Sequence, residues 1–148
     1  MRKRLLFILA LLLSTGAAWA QRGLNCYPVF QGKVVPKRVM VVTEVNGDAM
    51  ATYKLSYFRS VRFQVDTLTA AKVAALVEAD ALAANSAETE KTGDLLTYAL
   101  VQLKPLGRTR RYLCYQERST EYGGCIITIL YLEGSATLED LRSMFEKQ

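Results

Sequence analysis

The chain has 148 residues, 51% of them hydrophobic and 22% charged, with 19 basic and 14 acidic side chains and no histidine. That is ordinary globular composition, and it excludes a long disordered chain, a collagen-like repeat and a multi-pass membrane protein. Without residues 1–20, which read as an export signal and hold three of the basic residues and none of the acidic ones, 128 residues remain with a net charge of +2. This is enough for one domain with a core and too few for two, and it predicts no nucleic-acid or acidic-lipid partner.

The signal reading rests on three parts in order. Arg2-Lys3-Arg4 is a cationic start, Leu5 to Leu13 is an unbroken apolar run of nine, and Ala18-Trp19-Ala20 fits the small-x-small cleavage rule. Leu5 to Ala20 is only 16 residues, interrupted by Ser14, Thr15 and Gly16, whereas a membrane span needs about 20 apolar residues. Cys26 follows Gly23-Leu24-Asn25, a poor lipidation signal. The expected mature protein is a single domain, 21–148, that starts at Gln21, has no stable membrane anchor and is periplasmic or secreted.

Val39 to Val45 is rich in β-branched residues and reads as a strand, with Asn46-Gly47-Asp48 as the following turn. Tyr53 to Val65 alternates: Tyr53, Leu55, Tyr57, Val61, Phe63 and Val65 share one side with a single charge, Arg59. Thr69 to about Lys91 reads as an alanine-rich helix with Val73, Leu76 and Val77 at helical spacing, capped by Thr67 or Thr69. Asn85-Ser86 is a weak spot where the segment can break into two helices, and Thr92-Gly93-Asp94 ends it.

Three more strands follow: Leu95 to Leu103, Arg110 to Glu117 and Cys125 to Leu132, joined by turns at Lys104–Gly107 and Ser119–Gly124. The last is apolar at nearly every position, as expected of a central strand covered on both faces. Thr137 and Asp140 form a reciprocal cap for a final helix whose inward stripe is Leu138, Leu141 and Phe145. This order predicts an α+β domain: a mainly antiparallel sheet of about five strands, with a long central helix and a C-terminal helix packed on it.

The three cysteines, Cys26, Cys114 and Cys125, are an odd number in an exported chain, so at least one is free or pairs between chains. Cys114 and Cys125 lie on strands joined by a turn and are the candidate disulfide, provided that the register pairs even with odd positions. The alternative is that all three are small apolar core residues, which the size of the domain favours.

Catalytic chemistry finds little support. Without histidine there is no Ser-His or Cys-His pair. Gly123-Gly124 is a turn with no following helix, and Glu139-Asp140 point apart on a helix, where they serve its first turn. No CxxC is present, so neither a metal nor another cofactor is expected. The basic run Arg108, Arg110 and Arg111 sits at a hairpin turn, either simply solvated or contacting an anion or a partner. Arg59 is the best single candidate contact. A bulge near Phe58-Arg59 can swap the faces, a carboxylate can pair with the buried guanidinium, or the face can open into a cleft where Arg59 binds an anionic group.

The chain resembles a family of small exported proteins of unknown function from Bacteroidetes. The resemblance starts at Val29-Phe30, strengthens at Tyr53 to Ser60 (YKLSYFRS) and is clearest at Ile127 to Phe145 (ITILYLEGSATLEDLRSMF). That ending is also similar to a second, broader exported family from the same bacteria, which implies a cell-envelope role. The resemblance implies fold and compartment and no activity. The leading expectation is therefore a non-catalytic binding or adaptor module for an envelope protein. The alternative is a small-molecule or lipid-binding domain with a cavity between the sheet and the helix Thr69 to Lys91.

Overall fold

The computed structural model describes residues 23–146. The predicted signal, residues 1–20, and the predicted N-terminus at Gln21 lie outside the described residues. From Tyr57 to Val65 the chain alternates apolar and polar residues, and that period buries one side of a strand while the other meets water or a second layer. Tyr57, Val61 and Phe63 are buried accordingly. The α+β expectation holds, but the antiparallel sheet has six strands rather than five.

The strands are β1 (Val41–Asn46), β2 (Leu55–Val65), β3 (Ser86–Thr92), β4 (Leu95–Leu106), β5 (Thr109–Ser119) and β6 (Cys125–Gly134). Their spatial order is β1-β2-β6-β5-β4-β3. The helices are α1 (Tyr27–Phe30), a single turn, α2 (Thr67–Ala83) and α3 (Leu138–Glu146).

The sixth strand comes from the segment expected to continue the long helix. α2 stops at Ala83, and Ser86–Thr92 turns back as an edge strand on β4. Asn85, Ser86, Thr89 and Thr92 are poor helix formers, and Gly93, with φ +62°, opens a two-residue hairpin turn that only a strand can use. The helix is capped by Asp66, not by Thr67 or Thr69: Asp66 Oδ1 accepts from Thr69 N at 2.7 Å. That hydrogen bond holds the Asp66 carboxyl below the usual carboxylate range.

The β4–β5 turn also moves. Pro105 lies within β4 where the register slips between Leu103 and Leu106, a place that tolerates a residue with no N–H, and the turn itself is Gly107-Arg108. Before β2, Gly47–Tyr53 is a 3-10 turn rather than a simple loop, and it leaves Tyr53 exposed.

The two faces of the sheet are covered separately. On one side, Val73 and Val77 of α2 and Val29, Phe30 and Val35 of the N-terminal segment pack on Tyr57, Val61, Phe63, Val101, Leu113, Ile127 and Ile129. Ala70 and Ala74 let α2 approach closely, so the middle of this interface is packed, and a cavity of about 220 Å³ remains at its end, lined by Asp80, Ala83, Leu103 and Arg111 among others. On the other side α3 lays Leu141 against Leu100, Tyr112, Cys114 and Leu132. β6 is thus covered on both faces, as its unbroken apolar run requires.

The reciprocal cap of α3 forms as expected. Asp140 N donates to Thr137 Oγ1 at 3.2 Å, and Thr137 N donates to Asp140 Oδ2 at 2.8 Å. Of the α3 stripe, Leu141 is buried, whereas Leu138 and Phe145 are half-buried. Leu141→Ala is expected to cost about 2–5 kcal/mol, and Phe145→Ala less than the ~3–5 kcal/mol of a fully enclosed ring. Denaturant midpoints check both. The reverse ranking would mean that α3 docks through its tip.

Candidate functional site

A strand carrying polar residues at i and i+2 presents both on one face. In β6 this places Tyr131 and Glu133 side by side, and Tyr131 Oη donates to Glu133 Oε1 at 2.6 Å. β5 repeats the pattern at the opposite end of the sheet, where Tyr115 Oη donates to the buried Glu117 at 3.0 Å. Burial, reinforced by the neighbouring carboxylate, pushes both phenols above their ordinary range.

Around Tyr131 the register builds two rows. One runs Glu44, Arg59, Tyr131, Leu113 and the other Asn46, Tyr57, Glu133, Arg111. Tyr57 Oη donates to Glu44 Oε1 at 3.0 Å, and its ring meets that of Tyr131 edge-on, with centroids 6.1 Å apart.

Arg59 and Arg111 therefore share the α2 face, in neighbouring rows on the two strands that flank β6. Arg59 does not swap faces: it stays on the side of Tyr57 and Val61. The bulge falls earlier, between Leu55 and Tyr57, and turns Leu55 into the α3-side core. The half-buried Arg59 guanidinium lies 5.5 Å from the Phe30 ring centre, and Nη2 donates to the Phe30 carbonyl at 3.1 Å. Arg111 Nε donates to Lys104 O at 2.9 Å. Both are used inside the fold.

The N-terminal segment has a second tie that sequence reasoning missed. Asp80, in α2 and only 4% exposed, accepts from Asn25 N at 2.6 Å, Asn25 Nδ2 at 3.1 Å and Cys26 N at 2.9 Å. A carboxylate one turn beyond Val77 on the buried stripe of a helix is the signal that marks it, since such a group needs donors.

The remaining two arginines sit elsewhere. Arg108 is exposed at the β4–β5 turn, and Arg110 donates from Nη1 to Ser135 O at 3.0 Å. The candidate disulfide is corrected: all three cysteines are free and buried. Cys114 pairs with Leu130 and Cys125 with Ser119, so the two thiols lie on opposite faces of the sheet. Burial pushes Cys114 up to about 12 and Cys125 up to about 11, and burial with Asp80 nearby raises Cys26 well above its ordinary value. These are poor nucleophiles at neutral pH.

Several surfaces remain open, two of them beside the sheet. A groove of about 260 Å³ lies on the α3 face, lined by Tyr98, Cys114, Thr128, Leu130 and Phe145 among others. The β1 edge exposes Val41 and Val42 at 66% and 46%. The opposite edge, β3, is charged: Glu88 pairs with Arg142, and Lys91 pairs with Glu78.

The fold and these surfaces define a six-stranded α+β domain whose charged and aromatic interior groups serve its own packing. The chain belongs to DUF6108, a family of unknown function, whose model matches residues 13–145. No curated protein and no solved structure matches the chain.

Arg59→Met and Asp80→Asn are each expected to loosen the segment before β1. Loss of hydrogen bonds to a charged group costs about 1.5–3 kcal/mol. Denaturation measures that loss, and amide exchange at Asn25 and Cys26 rises in Asp80→Asn. Unchanged exchange would show that apolar contacts alone hold the segment.

Proposed function

We propose that this protein is an exported, non-catalytic binding module of the cell envelope that engages a partner protein by strand addition at the β1 edge. The observation that carries this reading is the contrast between the two edges of the sheet. β3 is protected by charges, the usual device against unwanted pairing. β1 ends the sheet with Val41 and Val42 largely exposed and one acidic side chain, Glu44, which Tyr57 already engages. An extended, apolar segment of a partner matches that edge: its backbone continues the ladder, and its side chains cover the valines.

Export rests on the three-part N-terminal sequence. The non-catalytic part rests on the absence of histidine, on thiols raised by burial and on carboxylates turned to structural hydrogen bonds. Among the described residues no helix is long and apolar enough to cross a membrane.

A second reading is favoured by the groove between α3 and the sheet, whose aromatic lining suits a small apolar ligand. The smaller cavity at the end of α2, lined by Asp80, Ala83, Leu103 and Arg111, is the other place for such a ligand.

The test is affinity purification of the tagged protein from its host with and without Val41→Lys and Val42→Lys. Exposed substitutions of this kind change stability by about 0.5 kcal/mol or less. The purified chain is expected to have the mass of a protein beginning at Gln21, and the wild type to hold a protein that the edge variant releases. An identical set of proteins on both, with apolar small molecules bound instead, would move the function to the groove.

A further inference from the structure

The β2–β6 crossing has an unusual backbone. Lys54, which ends the 3-10 turn immediately before β2, is the one described non-glycine residue with positive φ, at +59°. A residue with a Cβ adopts that conformation at a cost, and such sites cluster where function demands them. The Lys54 carbonyl is fixed there by Ser135 N at 3.0 Å and Ala136 N at 2.9 Å. β6 ends at Gly134, while its two neighbours supply walls: the start of β2 on one side and the β4–β5 turn on the other. Between them lies an open cavity of about 410 Å³ whose lining joins Lys54, Ser56, Arg108, Thr109 and Ser135 to the apolar Ala51 and Leu55.

The charges around this cavity are unequal. Lys54 and Arg108 line it, and Arg110 holds its floor through the Ser135 carbonyl. The carboxylate facing them is Asp140, 3.4 Å from Lys54 Nζ and engaged with the Thr137 amide. Arg108 makes no hydrogen bond or ion pair among the described residues. Ser135 Oγ meets the Lys54 carbonyl only at 3.5 Å, so it can turn toward a ligand. Thr109 also lines the cavity and carries a further hydroxyl.

We propose that this cavity is a binding site for a tetrahedral oxyanion, a phosphate or sulfate group carried on a molecule larger than the bare ion. Arg108 supplies the planar fork that fits two oxygens of such a group, Lys54 a point charge, and the two hydroxyls the remaining donors. Glycine at 134 lets the Lys54–Leu55 backbone lie close against the end of β6, which sets the floor of the cavity. The site is independent of the β1 edge and stands or falls without it.

The test uses the full mature chain and inorganic phosphate, followed by backbone amide NMR against matched chloride. Saturable shifts are expected at Lys54, Thr109 and Ser135. Affinity should fall at least tenfold in Arg108→Gln and in Lys54→Gly. The second variant removes the ammonium while giving position 54 the residue that its backbone prefers, so the fold is retained. Arg118→Gln, far along β5, should bind as the wild type does. Shifts that do not saturate, or variants that bind as tightly as the wild type, overturn the proposal. Vesicles distinguish the source: Arg108-dependent sedimentation with phosphatidylglycerol supports a lipid headgroup, and its absence with phosphate binding retained supports a soluble ligand.

Discussion

The structure depends on the antiparallel pairing of β2 with β6. It runs from Leu55 opposite Gly134 to Val65 opposite Cys125 and joins segments far apart in the chain. Without it, β3 to β6 form a meander of local hairpins, and β1–β2 form a separate one. The pairing makes β6 an interior strand and obliges it to be apolar on both faces. It also leaves β2 and β3 pointing the same way with three strands between them, so α2 must carry the chain back across one face. The crossing is tightest at its lower end, where Gly134 meets Lys54 and Leu55 so closely that a Cβ on the glycine would overlap the backbone.

Covering both faces divides the labour of the polar groups. On the α2 side the helix is too narrow to span the whole sheet, and the N-terminal segment fills the gap. That segment has little regular structure, so it is fixed by the Asp80 carboxylate and by Arg59 on the Phe30 carbonyl. The charged and aromatic rows beneath it are consumed by these contacts. The surfaces open to partners among the described residues include the β1 edge, the α3-side groove, the cavity at the end of α2 and the mouth at Lys54 and Arg108.

Much of this fold is legible in the sequence, for physical reasons that differ by element. β2 and β6 announce themselves by period and by continuous apolarity, and α3 by a cap whose two members are three residues apart. β3 is hidden, because an edge strand buries nothing and shows no apolar period. Its turn, Gly93-Asp94, is the signal that favours strand over helix. The role of Arg59 is likewise invisible locally, since the carbonyl that it serves lies in a segment whose placement follows only from Asp80. Cys114 and Cys125 read as neighbours because their strands are consecutive, yet their register puts them on opposite faces. Arg108 was legible as a candidate, but its companions Lys54 and Ser135 come together only where β2 and β6 cross.

The central claim is that the β2–β6 crossing, closed by glycine at 134, holds the two halves of the sheet together. Gly134→Ala tests it most directly. Forcing a methyl against fixed backbone is expected to cost about 1–3 kcal/mol. Hydrogen exchange should quicken at Ser135 and Ala136, which donate to the Lys54 carbonyl, while the β3–β4 hairpin stays protected. A variant with an unchanged denaturation midpoint and unchanged protection at those two amides would contradict the account.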